Sequence, residues 1–209
     1  FKFIEKMILN KFDYITVPID NAVNKFTYFK NKNQIKVIPQ GFDFSEIKIS
    51  DYQKNDIPTF AYAGVFYDKI RNPKKLFDFL LALDFDYRFV IYTDVDKLEN
   101  MKLIKPYELL LGKKLVVRSL IARKECINAL SKMDFIINQS NLGESQRPSK
   151  LIDYALAKRP IFNFNQDNFD SDLFLSYIKK EIDFKEEDLT MYEISNVVNL
   201  FEQIDSNHV

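Results

Sequence analysis

The chain has 209 residues, 46% of them hydrophobic, 15% aromatic and 29% charged, and its 30 basic and 30 acidic side chains cancel; this profile excludes a disordered chain and disfavours a polyanion binder, so no nucleic-acid partner is expected. One cysteine, Cys126, and one histidine, His208, exclude an intrachain disulfide framework and argue against Ser-His-Asp chemistry or a Cys/His metal centre, so no metal is expected. No apolar run reaches about 18 residues and no basic-then-apolar leader opens the chain, which makes the cytoplasm the expected compartment.

In chain order, residues 1–29 contain a short apolar run at Tyr14 to Val17 and are set off from the rest of the chain by the polar Lys30 to Gln34 turn. Starting at Phe1 rather than Met, the chain reads as a fragment whose residues 1–33 are the tail of a preceding domain, with a second domain over 34–209. From Ile35 the pattern becomes regular. Short β-branched or aromatic runs fall at Ile35 to Ile38, Thr59 to Ala63, Tyr87 to Tyr92, Leu115 to Arg118, Phe135 to Asn138 and Ile161 to Phe164. Between them, Pro73 to Leu83, Arg123 to Met133 and Pro148 to Lys158 repeat apolar residues at three- and four-residue spacing, as crossover helices do. A further helical pattern runs from Met191 to Ile204, whereas residues 43–56 and 94–114 show no clear period. Near-continuously apolar strands alternating with helices predict an α/β domain built on a doubly wound, mainly parallel sheet.

Glycine is scarce, with four residues in all, against about fifteen expected from an average usage of about 7%. Three of them, Gly41, Gly64 and Gly143, come shortly after predicted strands. In open α/β sheets ligands bind beyond the carboxyl ends of the strands, where glycine lets the backbone approach closely. Simple tight turns would place them there too.

Two segments carry candidate chemistry. In Gly64 to Pro73, Asn72 is a good N-cap and Pro73 a good first helical residue. Lys69, Arg71, Lys74 and Lys75 crowd that helix start, where the macrodipole disfavours cations and favours anions. A phosphate reached by Arg71 and backbone N–H groups resolves the mismatch; a solvated lysine-rich turn is the competing reading. In Asn141 to Asp153, Pro148 again marks a helix start and Arg147 and Lys150 again bring cations to it. Two basic helix starts on one sheet edge suit a diphosphate, and Asp153, one turn beyond Ser149, suits paired hydroxyls such as those of a ribose.

The run Glu144 to Asp153, with Ala157-Lys-Arg-Pro-Ile-Phe162 after it, resembles the nucleotide-sugar site of GT-B glycosyltransferases, most closely the retaining family four group that builds bacterial surface polysaccharides. Ile35 to Asp43 looks like that family's hinge strand and loop, Phe60 to Gly64 like the first strand and glycine turn of its donor domain, and Ala122 to Asn138 like the helix and strand before the donor loop. The resemblance spans about residues 35–165, and Asp13 to Pro18 resembles the last strand of an acceptor domain. It implies a Rossmann-like donor-binding half of a GT-B enzyme, transferring sugar from a nucleoside diphosphate, most simply a UDP-sugar, to a glycan or lipid-linked acceptor held by a domain before this one. By the same resemblance Arg71 and Lys150 act on the diphosphate, with Ser149 and Leu151 beside it. Gly64 gives close approach, Asp153 binds the ribose, and Arg118 to Ile121, including Leu120, flank the base. Glu144 would be the acid facing the sugar, although it stands one residue earlier than the family's E-x7-E spacing requires, which would fall on Ser145. Such enzymes need no bound metal or cofactor, and peripheral docking of the parent at the inner membrane face fits the family.

Cys126 and the Phe77, Phe79, Leu80, Leu83 set read as packing residues, and Asp84 with Asp86 and Glu186 with Glu187 as solvent-facing charge. A nucleotide-sugar epimerase on the same fold and a noncatalytic α/β interaction module are the competing functions. A dinucleotide dehydrogenase is disfavoured, because Gly64 stands alone after Thr59 to Ala63, the run that resembles the donor domain's first strand, where G-x-G-x-x-G is required.

Overall fold

Apolar runs of four to six residues separated by amphipathic stretches build short parallel strands joined by helices. The computed structural model describes residues 2–24, 26, 32–141 and 149–206. In chain order its main elements are α1 (Lys2–Leu9), β1 (Ile15–Val17), α2 (Asp20–Val23), β2 (Ile35–Val37), β3 (Thr59–Ala63), α3 (Lys74–Leu81), β4 (Arg88–Thr93), α4 (Leu98–Leu111), β5 (Leu115–Ser119), α5 (Arg123–Ser131), β6 (Phe135–Gln139), α6 (Ser149–Leu156), β7 (Ile161–Phe164), α7 (Ser171–Lys179) and α8 (Ile194–Ser206). The described residues divide into two compact units, one of residues 2–46 and 188–206, the other of 47–141 and 149–187.

In the first unit β1 and β2 pair in parallel, Ile15 opposite Ile35 and Val17 opposite Val37, over a small cluster of Val17, Ala22 and Ile35. The sequence grouped β2 and the last helix with the regular alternation; in the structure the ladder partner of β2 is β1. The backbone of Phe42 exchanges hydrogen bonds with Tyr192 and Ile194 at the start of α8. Gly41 allows that approach, since a Cβ there would lie 2.7 Å from Ile194 Cδ1 and 3.2 Å from Val197 Cβ. A cavity of about 710 Å³ opens among Pro18, Asp20, Val37, Pro39, Asn196 and Leu200. Helix α1 shows Phe3, Ile4, Met7 and Ile8 to solvent.

The second unit is a five-stranded parallel sheet in the order β5-β4-β3-β6-β7. Alternate residues face opposite layers. Phe60, Phe89, Ile91, Phe135, Ile137 and Phe162 meet Leu76, Phe77 and Leu80 of α3, Met101 and Ile104 of α4, and Phe174 and Ile178 of α7. Ala61, Val90, Tyr92 and Ile136 meet Ile127 and Leu130 of α5 and Tyr154 and Ala157 of α6. Phe60 lies at the centre of the first layer, its ring 4.8 Å from Phe135 and 5.1 Å from Phe89. Truncating such a side chain costs roughly 3–5 kcal/mol.

The α/β parallel architecture is the one the sequence predicts, and β3 and β7 have the expected bounds. Helices α1, α2, α4 and α7 are additions. Pro106 interrupts the backbone donors inside α4, which obscured a helix that ends at Gly112, held at φ 52° with its N–H on Glu108 O. Helix α7 carries a legible start: Asp170 accepts from the Leu173 N–H at 2.9 Å.

Candidate functional site

The chain leaves β3 toward β4 and β5 on one side, while β6 and β7 lie on the other, so the strand order reverses between β3 and β6. In such sheets the crevice at the carboxyl ends beside this reversal is where ligands bind. The β3–β6 register runs only over Phe60–Phe135 and Ala61–Ile136. Beyond it, Tyr154 on α6 takes the place of a strand: its hydroxyl accepts from the Ala63 N–H at 3.0 Å and donates to the Ala63 carbonyl at 2.9 Å. Burial drives this phenol well above its usual value, so it stays a neutral donor. This contact ties the helix carrying Lys150 to the end of the strand carrying Gly64.

Gly64 follows at once, with its N–H on Tyr92 O at 2.9 Å. Its φ of 147° is open to glycine and strained for other residues, and a Cβ there would lie 3.1 Å from the Tyr62 hydroxyl and 3.4 Å from Lys150 Nζ. The loop beyond is pinned by Asn100, whose side chain accepts from the Phe66 N–H and donates to Thr93 Oγ1 and the Asp94 carbonyl. Tyr67 and Arg71 then exchange backbone hydrogen bonds and close the turn.

Of the cations gathered at the start of α3, Arg71 alone among those described turns inward to the strand ends. Its Nε donates to Asn141 Oδ1 at 3.0 Å, and Nη1 to the Val65 carbonyl at 3.2 Å and the Tyr62 hydroxyl at 3.5 Å. Lys74 pairs with Asp78 one turn along the helix, and Lys75 donates to the Asp167 carbonyl. Asn72 Oδ1 accepts from the Lys74 N–H at 2.9 Å, but α3 begins one residue later than expected: Pro73, expected as its first helical residue, holds the N-cap position with no side-chain cap bond. Lys150 Nζ lies 4.2 Å from the Tyr62 ring centroid and 5.0 Å from that of Tyr154, cation–π distances in both cases. Burial pushes the Tyr62 phenol up to about 12, with Arg71 pulling the other way.

The remaining predicted residues fall in different places. Asp153, on α6, is held by Arg123: Oδ1 accepts from Nε at 2.8 Å and from Nη2 at 2.6 Å. The half-buried Leu151 side chain packs against the core layer of α5 and α6. Ser149 opens α6. Arg118 is exposed, with Cζ 5.9 Å from the Tyr92 ring; it lines a groove of about 340 Å³ with Arg88, Asn128 and Lys132. Leu120 is 57% exposed beyond β5. Glu144, Gly143, Arg147 and His208 lie outside the described residues. Burial raises the Cys126 thiol to about 11, so it is a protonated packing group at neutral pH. Among the described residues no group of three or more His, Cys, Asp or Glu side chains is placed to hold a metal, and no helix is long and apolar enough to cross a membrane.

Tyr62, Tyr154, Asn100 and Asn141 escaped sequence reasoning. Tyr62 and Tyr154 stood within a strand and a helix with no role assigned, and only their hydroxyl contacts at the end of β3 make them part of the site. Asn141 offered one signal, a polar residue two positions after β6.

No family model and no curated protein matches the sequence. Solved structures do match the fold. The lipopolysaccharide outer core galactosyltransferase WaaB, in its apo form, aligns with a TM-score of 0.67 at 13% identity, over 94% of this chain and 62% of that one. Anabaena HepE in complex with UDP-glucose aligns with a TM-score of 0.60 at 12% identity, over 93% of this chain and 63% of its own. A glycosyltransferase from Rickettsia africae aligns with a TM-score of 0.63 at 9% identity, over 92% and 62% of the two chains. The chain thus spans under two thirds of the length of these neighbours, and it has the Rossmann-like α/β fold found in GT-B glycosyltransferases.

Proposed function

We propose that the second unit is the donor-binding part of a nucleotide-sugar glycosyltransferase, and that the crevice around Gly64, Arg71 and Lys150 receives the diphosphate. One observation carries the reading. Arg71 is fixed at the sheet's reversal point by three neutral acceptors, Asn141, Val65 and Tyr62, and forms no ion pair with any described carboxylate. Its charge is oriented and left available to an anion, while Lys150 stands against the same tyrosine ring. The solved HepE neighbour holds UDP-glucose, which supports a UDP-sugar as the donor here.

In the reaction, the bond between the anomeric carbon and the β-phosphate oxygen breaks, an acceptor hydroxyl oxygen bonds to that carbon, and the hydroxyl proton passes to an oxygen of the departing diphosphate. Negative charge grows on the departing diphosphate. Arg71 and Lys150, preorganised where that charge develops, stabilise it. Asp153, with Oδ1 bound by Arg123, keeps Oδ2 for the ribose hydroxyls, and Arg118 and Leu120 flank the base. The family resemblance makes Glu144 the candidate for the acid that contacts the sugar. Retaining stereochemistry, a hexosyl donor, a glycan or glycolipid acceptor, a role in bacterial surface polysaccharide synthesis, and docking of the parent at the inner membrane face complete the proposal. The acceptor is held by a further domain, which is consistent with the neighbours' greater length.

Titration calorimetry of the 209-residue chain with UDP tests the reading. Saturable binding that Arg71→Ala weakens supports it, and heats indistinguishable from dilution for UDP, GDP and ADP alike overturn it.

A further inference from the structure

A further cation, half-buried, sits at the other end of the sheet, away from the crevice around Gly64 and Arg71. Arg159 lies in the turn between α6 and β7, just after Lys158, which adopts a left-handed φ of 54°. Its Cζ is 3.8 Å from the Tyr52 ring centroid and 5.8 Å from that of Phe184. Nε is shut off from solvent with no hydrogen-bond partner, and among the described residues the guanidinium forms no hydrogen bond or ion pair. Asp134 and Glu186 act on it only through space, and burial works against its charge.

This side chain borders a cavity of about 360 Å³ whose walls include Pro160, Ile161, Tyr177, Ile182 and Phe184. That volume is within the range of small-molecule sites, about 300–1,000 Å³. A planar fork of N–H donors matches an oxyanion bidentately, and within a mixed lining Pro160, Ile161, Ile182 and Phe184 offer apolar surface to a hydrocarbon body. Lys185 adds a second cation, but Asp183 and Glu187 also line the space, so a dianion meets more repulsion than a singly charged group.

We propose that this cavity binds a small monocarboxylate with an apolar body, its carboxylate on Arg159 and its hydrocarbon part against Pro160, Ile182 and Phe184. Benzoate is the probe. Calorimetry on the 209-residue chain is expected to show saturable benzoate binding, weakened at least about tenfold by Arg159→Ala, the order of one charge-assisted hydrogen bond. Arg159→Lys keeps the charge, loses the fork and falls between the two. Ile182→Trp fills the cavity with Arg159 in place and abolishes binding, so the test survives if Arg159→Ala fails to fold. UDP titrations of the same variants stay at wild-type affinity, which separates this site from the donor crevice. Absent benzoate saturation, or binding that neither Arg159→Ala nor Ile182→Trp diminishes, overturns the site. Inorganic phosphate displacing benzoate as effectively as a second monocarboxylate, such as butyrate, overturns the assignment of ligand class.

Discussion

Arg71 and Lys150, from the starts of different crossover helices, lie against the same side chain: Nη1 of Arg71 is 3.5 Å from the Tyr62 hydroxyl, and Nζ of Lys150 is 4.2 Å from the centre of its ring. Tyr62 can serve both because it is buried at the end of β3, beside the strand-order reversal. Its hydroxyl donates to the Val65 carbonyl at 3.2 Å, which leaves its oxygen lone pairs toward Arg71. The glycine that comes two residues later removes the Cβ that would crowd this meeting point.

Arg71→Ala is expected to weaken UDP binding by about 10- to 100-fold, corresponding to roughly 1.5–3 kcal/mol for hydrogen bonds to a charged group. Arg71→Lys restores the charge without the bonds to Asn141 and Val65 and recovers only part of the loss. Calorimetric dissociation constants for the three proteins check this, and equal values would remove Arg71 from the site.

Gly64→Ala places a methyl group 3.1 Å from the Tyr62 hydroxyl on a backbone at φ 147°. Strain of this kind costs about 1–3 kcal/mol, to be read as a lower urea midpoint. The same variant displaces Tyr62 and Lys150 together, so UDP affinity drops with stability.

Tyr154→Phe deletes the hydroxyl that bridges the Ala63 N–H and carbonyl. Both backbone groups lose their partner where the β3–β6 ladder has already stopped, at an expected cost of about 1–3 kcal/mol. Hydrogen exchange of the Ala63 amide, monitored by NMR, should accelerate ahead of amides in the middle of β3; uniform acceleration would mean a global effect instead.

A polar cluster at the amino end of β6 is expected to make stability depend on pH. Asp134, with a side chain 1% exposed, pairs with Lys180 at 2.6 Å and accepts from Tyr52, Asn55 and the Thr59 N–H. Burial alone would raise its carboxyl, but the bonds from Lys180, Tyr52 and Thr59 outweigh it and hold the group below 3.8. Burial opposes the Lys180 charge, yet Asp134 and Tyr52 lift it above 10.5. The carboxylate therefore contributes stability above its unfolded value and loses it as pH falls through the lower folded value. The ammonium contributes below its unfolded value and loses it as pH rises through the higher folded one. Lys180→Met leaves Asp134 buried without its cation, costing about 3 kcal/mol, and moves the acid-side loss to higher pH. Urea midpoints measured from acid to alkaline pH test both limbs.

The alternation of apolar runs with helical periods was enough to predict a parallel α/β sheet, because strand and helix periodicities are local properties written in neighbouring residues. Thr59–Ala63 and Ile161–Phe164 were legible to the residue for that reason, and so was the glycine after β3, whereas the start of α3 was legible only to within a residue, since Pro73 and not Asn72 holds its N-cap. Periodicity is silent about which strand a run pairs with, so only the tertiary structure showed β2 joined to β1 and α8 laid beside Phe42. It also separated cations that look alike in sequence: Arg71 turns to the strand ends while Lys74 and Lys75 are occupied elsewhere. The Tyr154 bridge to Ala63 and the Asp134–Lys180 pair join residues far apart in the chain. Such contacts depend on how helices settle on the sheet, a long-range outcome of packing that no short window of residues encodes.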